Sequence, residues 1–402
     1  AIPGKIAMAA TTAPALMNFE FATATKIIFG RGAVKKLGAL IAEQNVSRVF
    51  VLTGKSAERI APILTDLQGS LTVESAAVVG EPSTVAISEL LTTARAFGAD
   101  SVVSIGGGSV IDAGKAVAAL LTNGGEPLDY MEVIGKGQKI TKPSAPFIAV
   151  PTTAGTGAEV TQNAVLESPE HKQKCSVRSP FMLPRIALID PELTVAMPPA
   201  VTASTGLDAL TQCIEPFVSN KSNPISDAFA LEGIRRAARS LANAYKNGTD
   251  IDAREDMCVA SLFGGIALAN SKLGAVHGFA GPIGGMFPAP HGAVCGALLP
   301  HCIQANVDAL LSGTPSSPVD VIQRFTTVAQ ALTGRSDATA ADAVTFLQEL
   351  TASLSVPKLS SYGLTEADVP VVVGKAASAS SMQGNPCRLS EETLAQILRA
   401  AL

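Results

Sequence analysis

The stretch DALTQCIE, residues 208–215, holds a carboxylate and a carboxamide four positions apart. The segment is predicted to be helical, so the side chains of Asp208 and Gln212 point the same way, one turn apart. That spacing suits a metal site, although a neutral amide is a poor metal ligand. The pair is therefore a metal site, a metal site that has lost one ligand, or ordinary packing.

Two of the four histidines lie in the glycine- and proline-rich stretch VHGFAGPIGGMFPAPHG, residues 276–292. Two imidazoles and one carboxylate form a sound ligand set for a divalent metal that keeps an open position, either zinc or non-haem Fe(II). Asp208, His277 and His291 come from separate segments, so spacing alone leaves open whether they converge or are structural. The other two histidines are interpreted as a structural residue in an apolar run and an exposed loop residue: His301 and His171.

A glycine-rich stretch, IGGGSVIDAGKA at 105–116, follows a predicted strand and opens a predicted helix. Glycines let the backbone approach a phosphate, and a helix N-terminus supplies free N–H groups and partial positive charge. Ser109 is predicted to be the N-cap or a phosphate donor. The stretch is neither GxGxxG nor a Walker loop, because Lys115 falls inside the helix. We favour a pyrophosphate site over a plain turn, formed by Gly106, Gly107, Gly108 and Ser109.

A second turn, PTTAGTGAEVT at 151–161, is rich in threonine and glycine. Its hydroxyls could reach a phosphate, a ribose or a nicotinamide amide, or the turn could be ordinary. Open α/β sheets bind ligands at the carboxyl ends of their strands, so two such turns support each other. The cofactor contacts predicted here and beyond are Thr152, Thr153, Thr156, Thr161 and Lys174.

The strand RVFVLTG ends in Gly54, and Lys55 and Ser56 follow it. A domain that selects NAD usually holds an acid at the end of an early strand, where it binds the ribose 2′-hydroxyl. A small residue, a cation and a hydroxyl stand here instead, and they suit a 2′-phosphate. We therefore favour NADP slightly over NAD, or use of both, with Lys55 as a merely solvated side chain as the alternative.

These motifs need a scaffold, and the first half of the chain alternates apolar strands with helices. That alternation predicts a parallel sheet covered on both faces. After residue 199 nearly every segment has helical periodicity. We predict a flexible arm or cloning remnant at 1–18, a Rossmann-like α/β dinucleotide-binding domain at 19–198, and an all-helical metal- and substrate-binding domain at 199–402. The predicted strands are 26–30, 48–54, 72–80, 101–105 and 146–153.

Composition excludes several classes of function. The 402 residues are 47% hydrophobic and 16% charged, with a net charge of -4 and no tryptophan, which argues against a nucleic-acid partner. Six scattered cysteines without a C-x-x-C pair argue against a disulfide framework and favour a reducing, cytoplasmic location. No apolar run approaches the roughly 20 residues of a membrane span, so no membrane association is expected.

Several motifs in order, from about residue 20 to the C-terminus, resemble the iron-containing (group III) alcohol dehydrogenase family. Such a series is far more specific than any one motif. The matching stretches are GGGSVIDAGKA, PTTAGTGAEVT, IDPELTVAMPP, STGLDALTQCIE, HGFAGPIGG, PHGAVCGALLP and NPCRLSEE.

The resemblance implies NAD(P)-linked interconversion of an alcohol and an aldehyde or ketone, with cofactor and metal between the two domains. It also implies a small-molecule substrate and a homodimer or larger homo-oligomer. In that family the helical domain presents Asp, a His one turn later and two more His. Asp208, His277 and His291 match three of these positions, whereas residue 212 is Gln. A second His often follows four residues after the one matched by His277, and here that residue is Gly281.

Both departures bear on the chemistry that the resemblance implies. Losing one imidazole should weaken Fe²⁺ binding, while three ligands could still hold Zn²⁺, as in the similar glycerol dehydrogenase branch; the site could also be unoccupied. Gln212 would be a weak or absent ligand, or a hydrogen-bonding partner of substrate or water. Without the second His, the proton route would run through water, a threonine hydroxyl or the nicotinamide ribose. The predicted catalytic residues are Asp208, His277, His291 and Gln212.

Three other functions stay open. One is an oxo-acid reductase of the maleylacetate reductase branch, with little or no metal dependence. Another is a lyase resembling dehydroquinate synthase, which the long dehydrogenase signature disfavours. The third is a nucleotide-binding protein with degraded catalysis.

Overall fold

The computed structural model describes residues 18–55, 57–171, 173–313 and 319–402. The predicted arm at 1–18, apart from its last residue, and the predicted cofactor contact of Ser56 lie outside the described residues.

A parallel sheet forms the N-terminal half, as predicted. The strands of this half are β1 Lys26–Phe29, β2 Arg48–Gly54, β3 Thr72–Val78, β4 Ser101–Gly106, β5 Phe147–Pro151, β6 Asn163–Ser168, β7 Gln173–Arg178 and β8 Ile186–Ile189. Six of them form one all-parallel sheet in the order β1-β8-β5-β4-β2-β3, in which β8 is a strand that sequence analysis does not predict. Its central strands are built from apolar, β-branched residues, and every residue of β4 is buried, as expected of a sheet covered on both faces.

The order of the strands reverses between β2 and β4. From β2 the chain passes outward to β3 on one side, and from β4 it passes outward to β5 and β8 on the other. A crevice opens at the carboxyl ends of the strands at such a switch point, and ligands of open α/β sheets bind there. Gly54 ends β2 and Gly106 ends β4, so the predicted cofactor residues that follow these two strands border this crevice.

The chain also contains an antiparallel hairpin, β6 and β7, that sequence analysis does not predict. Its residues alternate between buried and partly exposed, as in a half-buried strand. The backbone N–H of Val165 donates to the carboxylate of Asp112 at 3.0 Å. The buried ammonium of Lys115 contacts Asp112 at 2.8 Å and donates to the carbonyl of Asn163. The hairpin is thereby fixed to the helix that follows β4.

The described part of the chain after residue 198 is helical, as predicted, and the first helix there begins at Pro199. Proline suits the first position of a helix, where its missing N–H would have no partner. The helices are α1 Leu37–Ala42, α2 Ala61–Gln68, α3 Thr84–Phe97, α4 Gly108–Asn123, α5 Pro127–Tyr130, α6 Pro199–Val218, α7 Pro224–Lys246, α8 Ile251–Asn270, α9 Ala275–Met286, α10 His291–Leu311, α11 Val319–Thr333, α12 Ala340–Ser353, α13 Val369–Ser378 and α14 Glu391–Ala400.

The start of α6 is held by the fully buried guanidinium of Arg254 on α8. This group donates to the hydroxyl of Thr202 at 2.8 Å, to the carbonyl of Gly248 at 2.9 Å and to that of Met197 at 3.3 Å. A buried cation is tolerated only when such acceptors surround it. The contacts fix α6 against α8 and against the segment that leaves the sheet.

One prediction about local structure is wrong. Ser109 is not an N-cap, because α4 begins at Gly108 and its N-cap is Gly107. The backbone turns into the helix early since Gly108 lacks a side chain: a Cβ there would lie 2.7 Å from the hydroxyl oxygen of Thr156. Ser109 therefore lies within the first turn of α4, where its N–H has no helical acceptor.

One helix among the described residues, α10, is long and apolar enough to cross a membrane by length and composition, with a mean hydropathy of 1.3. Of its most apolar window, 56% is buried inside the protein. Core helices of soluble proteins pass the same test, and α10 packs against α6, α9 and α12. The expected lack of membrane association stays a prediction.

The helical region meets the sheet region at a glycine pair. A Cβ on Gly265 of α8 would lie 2.5 Å from the carbonyl oxygen of Gly157, and Gly157 itself has a positive φ of 59°. Backbone therefore packs directly on backbone here, and the threonine-rich turn is pressed against α8.

We predict that Gly265→Ala lowers the free energy of unfolding by roughly 1–3 kcal/mol, because the added methyl group collides with a backbone that has no room to move. Urea denaturation followed by circular dichroism measures the change. Gly374→Ala on α13 is the matched control: its Cβ meets nothing within 4 Å, so it should be neutral or stabilising by up to about 1 kcal/mol. Equal effects of the two substitutions would contradict tight packing at this pair.

Candidate metal centre and cofactor cleft

Helix α6 presents three polar side chains from a buried face. Asp208, Gln212 and Glu215 are each at most 4% exposed. The spacing of four and then three residues places them in successive turns on the same side of the helix. The predicted juxtaposition of Asp208 and Gln212 is therefore observed, and Glu215 extends it by one turn.

Helix α9 begins two residues before His277, and its first amides need acceptors. The carboxylate of Glu215 accepts from the N–H of Val276 at 2.7 Å, and the side chain of Asn385 accepts from the N–H of Ala275 at 3.1 Å. The other oxygen of Glu215 lies 2.6 Å from Nδ1 of His277. One carboxylate thus caps α9 and orients its imidazole.

Helix α10 begins at His291, directly after Pro290. The ring centroids of His291 and His277 are 5.4 Å apart. The Nε2 atoms of His277 and His291 lie 3.4 Å and 3.7 Å from Oδ1 of Asp208. The three predicted ligands therefore converge, although they come from separate helices.

Three buried atoms at this point have no hydrogen-bond partner among the described residues: Oδ1 of Asp208, Oε1 of Gln212 and Nε2 of His277. A buried polar atom left unsatisfied costs about 1–3 kcal/mol. A divalent cation bound between these atoms would satisfy them, and carboxylate oxygen and imidazole nitrogen are suitable donors for Zn²⁺ or Fe²⁺. The donor set fits a divalent metal. His291 is 43% exposed at its side chain, so the cluster is open on that side.

Comparison with known proteins identifies the family of enzymes to which this group of Asp and His side chains belongs. Residues 24–191 match the family described as iron-containing alcohol dehydrogenase, and residues 202–402 match the C-terminal domain of the same family. The chain belongs to the iron-containing alcohol dehydrogenase family. It is therefore an oxidoreductase that interconverts alcohols and aldehydes or ketones with a nicotinamide cofactor.

Individual relatives align with nearly the whole length of this chain. Alcohol dehydrogenase 4 of Saccharomyces cerevisiae is 33% identical over 93% of this chain and 96% of its own. The NAD-dependent methanol dehydrogenase of Bacillus methanolicus is 31% identical, over 93% and 97%. The crystal structure of a 1,3-propanediol oxidoreductase superposes with a TM-score of 0.87 at 30% identity, covering 96% of this chain and all of that one. None of these comparisons favours the lyase or the degraded nucleotide-binding protein.

The protonation of the side chains at this candidate metal site depends on the two carboxylates, Asp208 and Glu215. Burial alone would lower the pKa of His277, but the neighbouring carboxylates of Asp208 and Glu215 raise that pKa to about 10. Burial also opposes ionisation of Asp208, yet His291, His277 and the Gln212 amide together hold the pKa of that carboxyl below its usual value. Without a metal, His277 therefore carries a proton that a metal would displace.

The predicted cofactor residues divide by position. The glycine loop lies beside the threonine turn: the N–H of Thr152 donates to the carbonyl of Gly106 at 2.9 Å. A Cβ on Gly107 would lie 3.4 Å from the hydroxyl of Thr153. The structure therefore brings together the glycines at the end of β4, the first turn of α4 and the threonines after β5, which are Gly106, Gly107, Gly108, Ser109, Thr152, Thr153 and Thr156.

Three other predicted cofactor residues lie in different surroundings. Lys55 is exposed immediately after Gly54, at the end of β2. Thr161 is buried, and its hydroxyl accepts from the ammonium of Lys115 at 2.9 Å and donates to the carbonyl of Ala158 at 3.3 Å. The ammonium of Lys174 on β7 pairs with the carboxylate of Glu81 at 3.6 Å. The same ammonium lies near Gly284 of α9, where a Cβ would be 4.0 Å from it. Lys174 therefore reaches the helix of His277 from the hairpin.

Sequence analysis missed two residues at the candidate metal site. Glu215 follows Asp208 by seven residues, which is two helical turns, and that spacing on a predicted helix is a signal. Cys295 follows His291 by four residues, and its sulfur belongs to the same compact group of donor atoms. That signal depended on knowing that α10 begins at His291, because the surrounding glycines and prolines obscure the helix.

We predict that Glu215→Gln weakens Zn²⁺ binding by roughly 10–100-fold, the usual effect of removing a carboxylate that orients a metal-binding histidine. The amide oxygen can still accept from the N–H of Val276, so the helix cap is partly retained. Competition with a chromogenic chelator measures the affinity. Glu89→Gln, at an exposed site on α3, is the control and should leave the Zn²⁺ affinity unchanged. An unaltered Zn²⁺ affinity in Glu215→Gln would show that Glu215 does not support metal binding.

We also predict that Zn²⁺ affinity falls on acidification by about tenfold per pH unit for each proton displaced. The sign follows from the raised pKa of His277, because a group protonated at neutral pH must release its proton before its nitrogen can bind a metal. Chelator competition between about pH 9 and pH 7, corrected for protonation of the chelator, measures the slope. A flat profile would mean that His277 does not bind the metal.

Proposed function

We propose that the dehydrogenase binds a divalent metal, Zn²⁺ or Fe²⁺, through Asp208, His277 and His291, and acts on a small alcohol or aldehyde in the cleft between these helices and the glycine loop. The single observation that carries the proposal is the convergence of these three side chains on one point, where Oδ1 of Asp208 and Nε2 of His277 are buried and unpaired among the described residues. A metal bound there would act as a Lewis acid on the substrate oxygen.

Each residue of the cluster has a distinct task in this proposal. Asp208 supplies the buried negative charge that attracts the cation. Glu215 accepts the Nδ1 proton of His277 and so leaves Nε2 free to bind. The exposed side of His291 leaves an approach for the substrate.

The substrate proton has no histidine to receive it at residue 281. A Cβ on Gly281 would meet nothing within 4 Å, so the position beside the cluster is open space. A proton released by an alcohol would therefore pass to water in that space, to a threonine hydroxyl of the 151–161 turn or to the cofactor's ribose. The open space also gives room for a substrate side group.

The cofactor in this proposal lies at the switch point of the sheet. Its pyrophosphate binds to the backbone N–H groups of Gly107, Gly108 and Ser109 at the start of α4, where the helix dipole favours negative charge. Thr152, Thr153 and Thr156 hold the nicotinamide side. Bound there, NAD(P) supplies or accepts the hydride.

The choice between NADP and NAD rests on the end of β2. No carboxylate stands at Gly54 to bind a ribose 2′-hydroxyl, and the exposed ammonium of Lys55 follows it. We favour NADP slightly, although the Bacillus methanolicus relative is named for NAD. A homodimer or larger assembly and a cytoplasmic location stay predictions.

The proposed metal dependence is tested with Asp208→Asn. We expect the variant to lose most of its bound metal and at least about 100-fold in kcat/KM, because a neutral amide replaces the anionic ligand. The measurement combines metal analysis with NADPH and NADH oxidation over a panel of aldehydes and oxo acids. Wild-type turnover that survives complete metal removal, above all with oxo acids, would favour the maleylacetate-reductase-like alternative.

Cofactor choice is tested with Gly54→Asp and Lys55→Ala. The aspartate should shift the ratio of kcat/KM for NADPH over NADH towards NADH, and a Cβ at residue 54 has room, since its nearest neighbour is a Val110 methyl at 3.9 Å. Loss of the ammonium should lower kcat/KM for NADPH by about tenfold, equivalent to one charge-assisted contact. Lys139→Ala, an exposed lysine elsewhere, is the control. A wild-type preference for NADH that neither substitution alters would contradict the proposal.

A further inference from the structure

A fourth potential metal donor lies beside the three predicted ligands. The sulfur of Cys295 and one ligand atom each of Asp208, His277 and His291 all lie within 4.8 Å of one another. Cys295 is fully buried, one helical turn after His291 on α10. Helix α10 thus presents an imidazole and a thiol four residues apart, as α6 presents a carboxylate and an amide.

We infer that Cys295 is a metal ligand of this dehydrogenase and replaces the donor that Gln212 supplies poorly. The inference rests on the proposed metal site and specifies its fourth donor. Three unpaired buried atoms, from Asp208, Gln212 and His277, already point to a cation at this position. The cysteine sulfur reaches the same point from the opposite helix.

Donor chemistry decides between Cys295 and Gln212. A thiolate is an anionic, soft ligand that binds Zn²⁺ and Co²⁺ tightly, whereas a neutral amide oxygen is a weak ligand for either. The Gln212 side chain is buried one helical turn from Asp208 on the same face of α6, where it lies beside that ligand as a neutral group. Cys295 therefore supplies the anionic fourth donor that completes the ligand set.

Binding through Cys295 requires loss of the thiol proton. As the bond from sulfur to metal forms, the S–H bond breaks and its proton passes to buffer, because a coordinated thiol is deprotonated. A thiolate ligand also favours Zn²⁺ over the harder Fe²⁺. The site of this chain is thus a zinc-type site within a family described as iron-containing.

The experiment uses Co²⁺ as a spectroscopic probe in the full-length protein after removal of resident metal with a chelator. Thiolate bound to Co²⁺ gives an intense charge-transfer absorption in the near ultraviolet, separate from the weak visible bands that any bound Co²⁺ shows. We expect this absorption in the wild type and in Cys302→Ser, and its loss in Cys295→Ser. Cys302 is the matched control, equally buried on the same helix but outside the group of donor atoms.

Affinity gives a second readout. Cys295→Ser should weaken Zn²⁺ binding by at least roughly 10–100-fold, more than it weakens Fe²⁺ binding, because the loss of a soft ligand matters most for zinc. Gln212→Ala should weaken Zn²⁺ less than Cys295→Ser does. Far-ultraviolet circular dichroism and binding of NADPH to the metal-free variants establish that they are folded.

The outcomes separate this inference from the proposed function. Visible Co²⁺ bands in the wild type without the thiolate absorption would overturn the role of Cys295 and leave the three-ligand site standing. An absorption that persists in Cys295→Ser, or a larger loss of affinity in Gln212→Ala, would overturn it as well. No Co²⁺ binding at all would overturn both.

Discussion

The geometry of the proposed metal site depends on one buried carboxylate, that of Glu215. It accepts from the N–H of Val276 in the first turn of α9 and contacts Nδ1 of His277, and so joins α6 to the helix that carries the second proposed ligand. Without it, the N-terminus of α9 would leave a donor unsatisfied in a buried environment, and His277 would have no fixed tautomer. Glu215 and Asp208 lie against the two different ring nitrogens of His277, so the group of side chains suits the cation proposed to bind there. Stability of the helix junction and readiness to bind metal come from the same contact.

The cofactor half and the metal half are brought together by close backbone packing. Gly157 and Gly265 touch where the threonine turn meets α8, and the hairpin β6–β7 reaches α9 through Lys174. The turns at the ends of β4 and β5 therefore face helices whose positions are set independently by Arg254 and Glu215. A hydride donor and a substrate oxygen must be held within contact distance for reaction. Gly157 and Gly265 therefore have a different task from the glycines of the 105–116 loop: they let the two halves of the protein pack closely, whereas the loop glycines let a phosphate approach the backbone.

Residues 212 and 281 are Gln and Gly where the resemblance implies His, and the chain nevertheless has the fold of its solved relatives. Residue 212 lies on α6 and residue 281 on α9, and these helices are held together by other contacts, such as that of Glu215 with Val276. The side chains at 212 and 281 therefore affect the groups available in the cleft and not the backbone. At residue 281 a missing side chain opens space beside the cluster. At residue 212 an amide supports Asp208, and a thiol on α10 stands ready in the group of donor atoms. With the ligands proposed here, the same fold would hold a metal through one Asp, two His and one Cys.

The sequence by itself determined the parallel sheet, the change to helices near Pro199 and the family, because strand and helix periodicity are local and the motifs are contiguous. It also placed Asp208 and Gln212 on one face, since four residues make one turn. It did not reveal the hairpin β6–β7, the early start of α4 at Gly108, or the roles of Glu215 and Cys295. Each of these is fixed by contacts between segments well separated in the sequence, such as Gly108 with Thr156 and Glu215 with His277, so a local pattern alone cannot establish it. Only the packing of α6, α9 and α10 decided that four separated donors meet at one point.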